Sequence, residues 1–91
     1  MNPRHDFVQR VSAVALEAMS SNPDCVNGLH LSIGSEGMGI DFCWSADGRM
    51  CLTSLYVFET EFALMSHPEL VLRVRCNHKV EELRRDKARN L

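Results

Sequence analysis

The apolar residues of this chain recur with a period that changes along its length. From Pro3 to Ser20 the spacing is helical: Phe7, Val11, Val14 and Ala18 form a stripe that Val8, Ala15 and Met19 widen, and Arg4, Gln9, Arg10 and Glu17 are left for water. Asn2 is placed to cap this helix, and Pro3 suits a first turn, where a missing N–H costs nothing. Pro23 ends it, because proline cannot continue a helix and restrains Asn22 before it. The period then drops to two. Leu29, Leu31 and Ile33 alternate with His30 and Ser32, and Met38, Ile40, Phe42 and Trp44 alternate with Asp41 and Cys43. The Gly34-Ser-Glu-Gly37 turn joins the two strands. Pairing Ile33 with Met38 sets Leu31 beside Ile40 and Leu29 beside Phe42, so the apolar faces agree.

A second hairpin follows in "FCWSADGRMC", residues 42–51, and admits two registers. A two-residue Asp47-Gly48 turn of type I′ pairs Trp44 with Cys51 and Phe42 with Thr53. A three-residue loop, Ala46-Asp47-Gly48, gives Gly48 the left-handed bulge position and pairs Trp44 with Met50 and Phe42 with Leu52. The second register segregates the faces better and is the one expected. It puts Ile40, Phe42, Trp44, Met50, Leu52, Tyr56 and Phe58 in the core, with Asp41, Cys43, Cys51, Thr53, Leu55 and Val57 on the outer face. Cys43 and Cys51 are then directly opposed. Alternation continues through Thr60, Phe62 and Leu64, so this strand either runs on and bends or stops near Phe58 before a short turn of helix.

Ser66 and Glu69 have capping-box spacing and Pro68 fits a first turn, which predicts a helix from about residue 67 to about residue 89. The alternation of Leu70, Leu72, Val74 and Cys76 offers a fourth strand instead, but "KVEELRRDKAR" strongly favours helix. On that helix the apolar residues form two stripes, one of Leu70, Val71, Val74 and His78 and one of Leu72, Cys76, Val80 and Leu83. The expected fold is α+β, in the order α-β-β-β-α: a three-stranded antiparallel meander with two helices packed on one face, in a single domain over residues 1–91.

Composition and charge then narrow the function. With 45% hydrophobic and 24% charged residues the chain is of the folded class, and its net charge of −2 argues against a generic nucleic-acid binder. The charge is uneven. From Arg73 on, Arg73, Arg75, Lys79, Arg84, Arg85, Lys87 and Arg89 outnumber Glu81, Glu82 and Asp86, and the rest of the chain is acidic. "MNPRHDF" has no apolar stretch of signal-peptide type and no apolar run would cross a bilayer, so a cytoplasmic protein without membrane contact is expected. The four cysteines, Cys25, Cys43, Cys51 and Cys76, contain no C-x-x-C and are expected as free thiols.

Few residues suggest chemistry. Cys43 and Cys51, with His30 and Asp41 on the same face, are the only set resembling a metal or redox site. Their spacing fits no zinc pattern, so neither a metal nor a cofactor is expected. His30, Asp41 and Thr53 form a polar cross-strand row without a cleft around it, which argues against an enzyme. "GSEGMG" lies between two strands and lacks the helix N-terminus a phosphate loop needs. Lys79, Arg84, Arg85, Lys87 and Arg89 give an alternative reading as a nucleic-acid contact. The element order is also that of double-stranded-RNA-binding domains, but those have a basic start to the second helix, where this chain has Ser66-His67-Pro68-Glu69. The leading expectation is a non-enzymatic interaction protein, a regulator, adaptor or inhibitor of the size of bacteriophage or mobile-element proteins that block a host complex. Its expected surface is the apolar surplus: Cys43, Cys51, Leu55 and Val57 outside the sheet, and Leu72, Cys76, Val80 and Leu83 as the second helix stripe. A protein partner, and a homodimer, would cover it.

Overall fold

The computed structural model describes residues 2–90. Helix α1 (Pro3–Ser20) is followed by strands β1 (Gly28–Ile33), β2 (Gly37–Ala46) and β3 (Arg49–Phe58), then by the short helix α2 (Glu59–Leu64) and the long helix α3 (Pro68–Arg89). The strands form one open antiparallel sheet in the order β1-β2-β3. This is the α+β arrangement the periodicity predicts, with α1 and α3 packed on one sheet face. The alternative of a short helix after Phe58 is the one realised.

Local signals account for most of the element ends. The Asn2 side chain accepts from the Arg4 amide at 2.9 Å, and the Ser21 amide closes α1 by donating to the Glu17 carbonyl. At α3 the capping box does not form. His67 occupies the cap position without a side-chain bond, and the Glu69 carboxylate instead receives Arg10 of α1 at 2.7 and 2.8 Å. An ion pair between helices has taken the acceptor that a local cap would use. No helix among the described residues is long and apolar enough to cross a membrane.

The β1–β2 register is the expected one: Ile33 lies opposite Met38, Leu31 opposite Ile40 and Leu29 opposite Phe42. The β2–β3 register is not. Trp44 pairs with Cys51, Phe42 with Thr53 and Ile40 with Leu55, around a two-residue Asp47-Gly48 turn. Both turn residues have positive φ, 54° and 78°, as type I′ requires, and that turn's twist matches the twist of the strands. The three-residue loop is therefore corrected, and with it the facing of a whole strand, since a slip of one residue turns every side chain over. Thr53, Leu55 and Val57 lie on the covered face and are buried, while Met50, Leu52, Tyr56 and Phe58 lie on the open face and are exposed. Trp44 stays on the covered side but only half-buried.

The core joins Phe7, Val11, Val14, Ala15 and Ala18 of α1 to Met38, Ile40 and Phe42 of β2, Leu55 and Val57 of β3, and Leu72, Cys76, Val80 and Leu83 of α3. Phe62 of α2 closes one end, its ring edge-on to Phe7 at 5.4 Å. The α3 stripe predicted to be surplus is the one that fills the core, and Leu70, Val71 and Val74 face outward. Helices α1 and α3 are further tied by Arg73–Glu17 at 3.5 Å, and Arg84 reaches Asp24 in the loop after α1 at 2.9 Å.

Candidate interaction surface

The predicted surface is largely internal. Leu55, Val57, Leu72, Cys76, Val80 and Leu83 are all in the core, so they offer nothing to a partner. Cys43 is half-buried on the open sheet face, and Cys51 is half-buried on the covered face, packed against the core rim. The reason is the register: Cys43 lies opposite Leu52, and Cys51 lies opposite Trp44. The two thiols therefore sit on opposite sides of the sheet and cannot form a disulfide or share a metal. Among the described residues all four cysteines are unbonded, and no group of three metal-ligating side chains is found. Burial pushes the Cys76 thiol up to about 11 and raises that of Cys25, which keeps both as unreactive thiols at neutral pH.

A different apolar surface appears in its place. Along β3 the side chains of Met50, Leu52, Tyr56 and Phe58 form a row on the open face, with 69, 55, 36 and 42% of their surface exposed. Tyr56 and Phe58 pack edge to face, with ring centroids 4.9 Å apart. Tyr56 reaches across the sheet so far that a Cβ on Gly34 would stand 2.7 Å from its hydroxyl. Cys43 lies flat over Gly28, where a Cβ would stand 2.3 Å from its sulfur. Gly28 of β1 and Gly34 just beyond its end thus let larger side chains lie across the open face of the sheet. Sequence reasoning missed this row because it placed these residues in the core. Given the Asp47-Gly48 turn as type I′, the same alternation would have found them.

A polar row divides this face. His30 Nδ1 lies 3.3 Å from Asp41 Oδ2, and the Ser54 hydroxyl donates to Asp41 Oδ1. The expected third member, Thr53, is instead on the covered side, where its hydroxyl donates to Glu82 at 3.1 Å. In this row the aspartate sits between serine and histidine. The histidine does not contact the hydroxyl and cannot take its proton, so the row lacks the geometry of an activated nucleophile.

Strand β3 is also an edge of the sheet. In the type I′ hairpin Ala46 and Arg49 flank the turn and exchange hydrogen bonds, and at the other end the Glu59 amide donates to the Glu36 carbonyl. Both ends assign the inward backbone groups to odd-numbered residues. Met50, Leu52, Ser54, Tyr56 and Phe58 therefore direct their N–H and C=O groups away from β2. Consistent with this, Arg75 of α3 donates to the Tyr56 carbonyl at 2.9 Å. The residues of the open-face row are also those whose backbone faces outward.

The basic end of α3 does not gather into a patch. Lys79 is 3.3 Å from Glu82, Arg84 holds both Asp24 and Glu81, and Arg89 is 3.9 Å from Asp86. Arg85 donates to the Glu81 carbonyl, and Lys87 donates to the Asp24 carbonyl. The Lys87 ammonium stands 3.7 Å above the Trp44 ring and helps line a cleft of about 290 Å3 with Arg49, Cys51 and Asn90. Arg85 and Arg89 line a groove beside β3, whereas Arg84 and Lys87 turn toward the loop after α1. The acidic partners lower the local potential that a run of phosphates would need. No protein-family model matches this chain, and no curated protein or solved structure matches it either.

Proposed function

We propose that this chain is a small non-enzymatic interaction module that acts by docking another protein along β3. The observation that carries this reading is the coincidence on one strand of an exposed apolar row, Met50, Leu52, Tyr56 and Phe58, with an outward-facing backbone edge. Apolar contact supplies affinity without regard to direction, and an edge strand supplies aligned donors and acceptors that fix orientation. The polar row His30–Asp41–Ser54 interrupts the apolar surface and adds a hydrogen-bonding element that rewards a matching partner. A regulator, adaptor or inhibitor works by such a surface and needs no catalytic group. The nucleic-acid alternative draws less support, because the basic side chains of α3 are held by neighbouring carboxylates and carbonyls.

The reading is tested with a photoreactive amino acid in place of Leu52, and a control with the same group in place of Gln9 on α1. Irradiation in the native host is expected to give a covalent protein adduct from position 52 and none from position 9. Absence of any adduct at 52 overturns the proposal.

A further inference from the structure

We infer that the partner at β3 is a second copy of this chain, joined edge to edge in an antiparallel pair about a two-fold axis through Ser54. This rests on the docking reading above and identifies the occupant.

The first ground is self-complementarity. Pairing Ser54 with its own copy places Leu52 opposite Tyr56 and Met50 opposite Phe58 of the other chain. All five are residues whose N–H and C=O groups face outward, so each meets a donor and an acceptor in register. Their side chains all project on the open face, so each apolar residue gains an apolar or aromatic neighbour across the junction, and Ser54 meets Ser54. A two-fold pair closes on itself and leaves no further edge of β3 to recruit a third chain. The apolar rows of the two copies then form one surface on a sheet continuous across both.

The second ground is charge. Arg75 is held against β3 through the Tyr56 carbonyl at 2.9 Å, and Glu82 through the Thr53 hydroxyl at 3.1 Å. These anchors lie on opposite sides of Ser54. The two-fold axis that sets Tyr56 against Leu52 of the other copy therefore sets Arg75 beside the other copy's Glu82, and the pair occurs twice. Glu82 is exposed, and its contacts with Thr53 and Lys79 both fall on Oε2, leaving Oε1 to accept. In the single chain Arg75 covers the Tyr56 carbonyl, which blunts the edge against indiscriminate pairing. On self-pairing the Leu52 amide of the other copy replaces Arg75 there, and the guanidinium moves to Glu82. Arg85 and Arg89 share the groove with Glu82, but Arg85 donates to the Glu81 carbonyl and Arg89 pairs with Asp86, so Glu82 is the acid that meets Arg75, and a foreign strand without such an acid is disfavoured.

Sedimentation equilibrium of the full chain is expected to give twice the 10.3 kDa chain mass. Arg75→Glu sets like charges together twice and should weaken self-association about tenfold or more, with the circular dichroism unchanged. Arg75→Glu with Glu82→Arg should restore it. In a Cys43→Ser, Cys51→Ser background, Ser54→Cys should link two copies under mild oxidation, because opposed strand residues lie within disulfide reach, whereas Ser32→Cys on β1 should not. A monomer at all concentrations overturns the inference, and so does a dimer that neither links at position 54 nor responds to Arg75→Glu. Should the protein be monomeric while position 52 still photocrosslinks to a foreign protein, self-pairing falls and the docking reading stands. Absence of all adducts removes both.

Discussion

Leu55 and Val57 of β3 lie under the helices with at most 8% of their surface exposed, whereas the side chains of Leu52 and Tyr56, on the other face of the same strand, stay exposed. Leu52 and Leu55 are the same residue type, so hydrophobicity did not choose between them. The choice was made by the partner surface. Helix α3 brings Leu72, Cys76, Val80 and Leu83 against one face, and among the described residues no helix covers the other. The covered face is stabilised by desolvation on both sides of each contact, and the open face leaves its apolar area in water.

The sharpest way to separate the two faces is to remove one large side chain from each. Phe42 is fully buried among α1, α3 and β3. Phe42→Ala should cost about 3–5 kcal/mol in urea unfolding, because a cavity is left that the sheet cannot collapse. Leu52→Ala at protein concentrations too low for association should change the same measurement by no more than about 0.5 kcal/mol, since Leu52 is already wet. If Leu52→Ala proved as damaging as Phe42→Ala, the assignment of faces would be wrong.

A middle-sized effect belongs to the turn that decides which face is which. Gly48 sits at φ 78° with nothing within 4 Å of where a Cβ would stand. Gly48→Ala therefore costs only backbone strain, about 1–2 kcal/mol. It should destabilise the chain without altering the folded-state spectrum. A variant that instead shifted to the three-residue loop would bury Leu52 and expose Leu55, which hydrogen exchange of β3 would reveal.

The smallest effect concerns the ion pairs that hold the helices over the covered face. Hydrogen bonding to Arg10 lowers the Glu69 carboxyl below its ordinary value of 4.5, and Arg84 does the same to Asp24, below 3.8. Their folded values are depressed, so their contribution is fully present above the ordinary values and is lost as pH falls through the folded ones. The urea midpoint should hold steady at neutral pH and decline as the solution is acidified below about pH 4, the usual carboxylate range. Arg10→Gln should flatten part of that decline, and an unchanged acid slope would show that the Glu69 pair adds nothing. These groups are near water, and their pairs are correspondingly modest.

Much of this was legible along the chain. The period of Phe7 to Ala18, the alternation of residues 29–33 and 38–44, and the pairing of Ile33 with Met38 all follow from one repeating requirement, that apolar side chains share a face. The second hairpin was not, because two requirements disagreed there. Face segregation favoured Trp44 beside Met50, and turn chemistry favoured Asp47-Gly48 as a two-residue turn. The turn prevailed, because its two residues of positive φ join the strands at their natural twist, and the apolar residues of β3 are numerous enough to fill either face. The same surplus made the two stripes of α3 indistinguishable: Leu72, Cys76, Val80 and Leu83 against Leu70, Val71 and Val74. The Ser66–Glu69 box failed for a third reason. A distant arginine, Arg10, took the glutamate, and no local pattern announces a partner on another helix.

By itself, then, the sequence determined the order and class of the elements and the register of the first hairpin, because each depends on neighbours a few residues apart, and it left open only whether strand or the short helix α2 follows Phe58. Only the tertiary structure decided which stripe of α3 meets which face of β3, and hence which apolar residues remain outside. That decision depends on how whole surfaces fit, and an excess of apolar residues on both sides of a strand carries no local mark of which side will be covered.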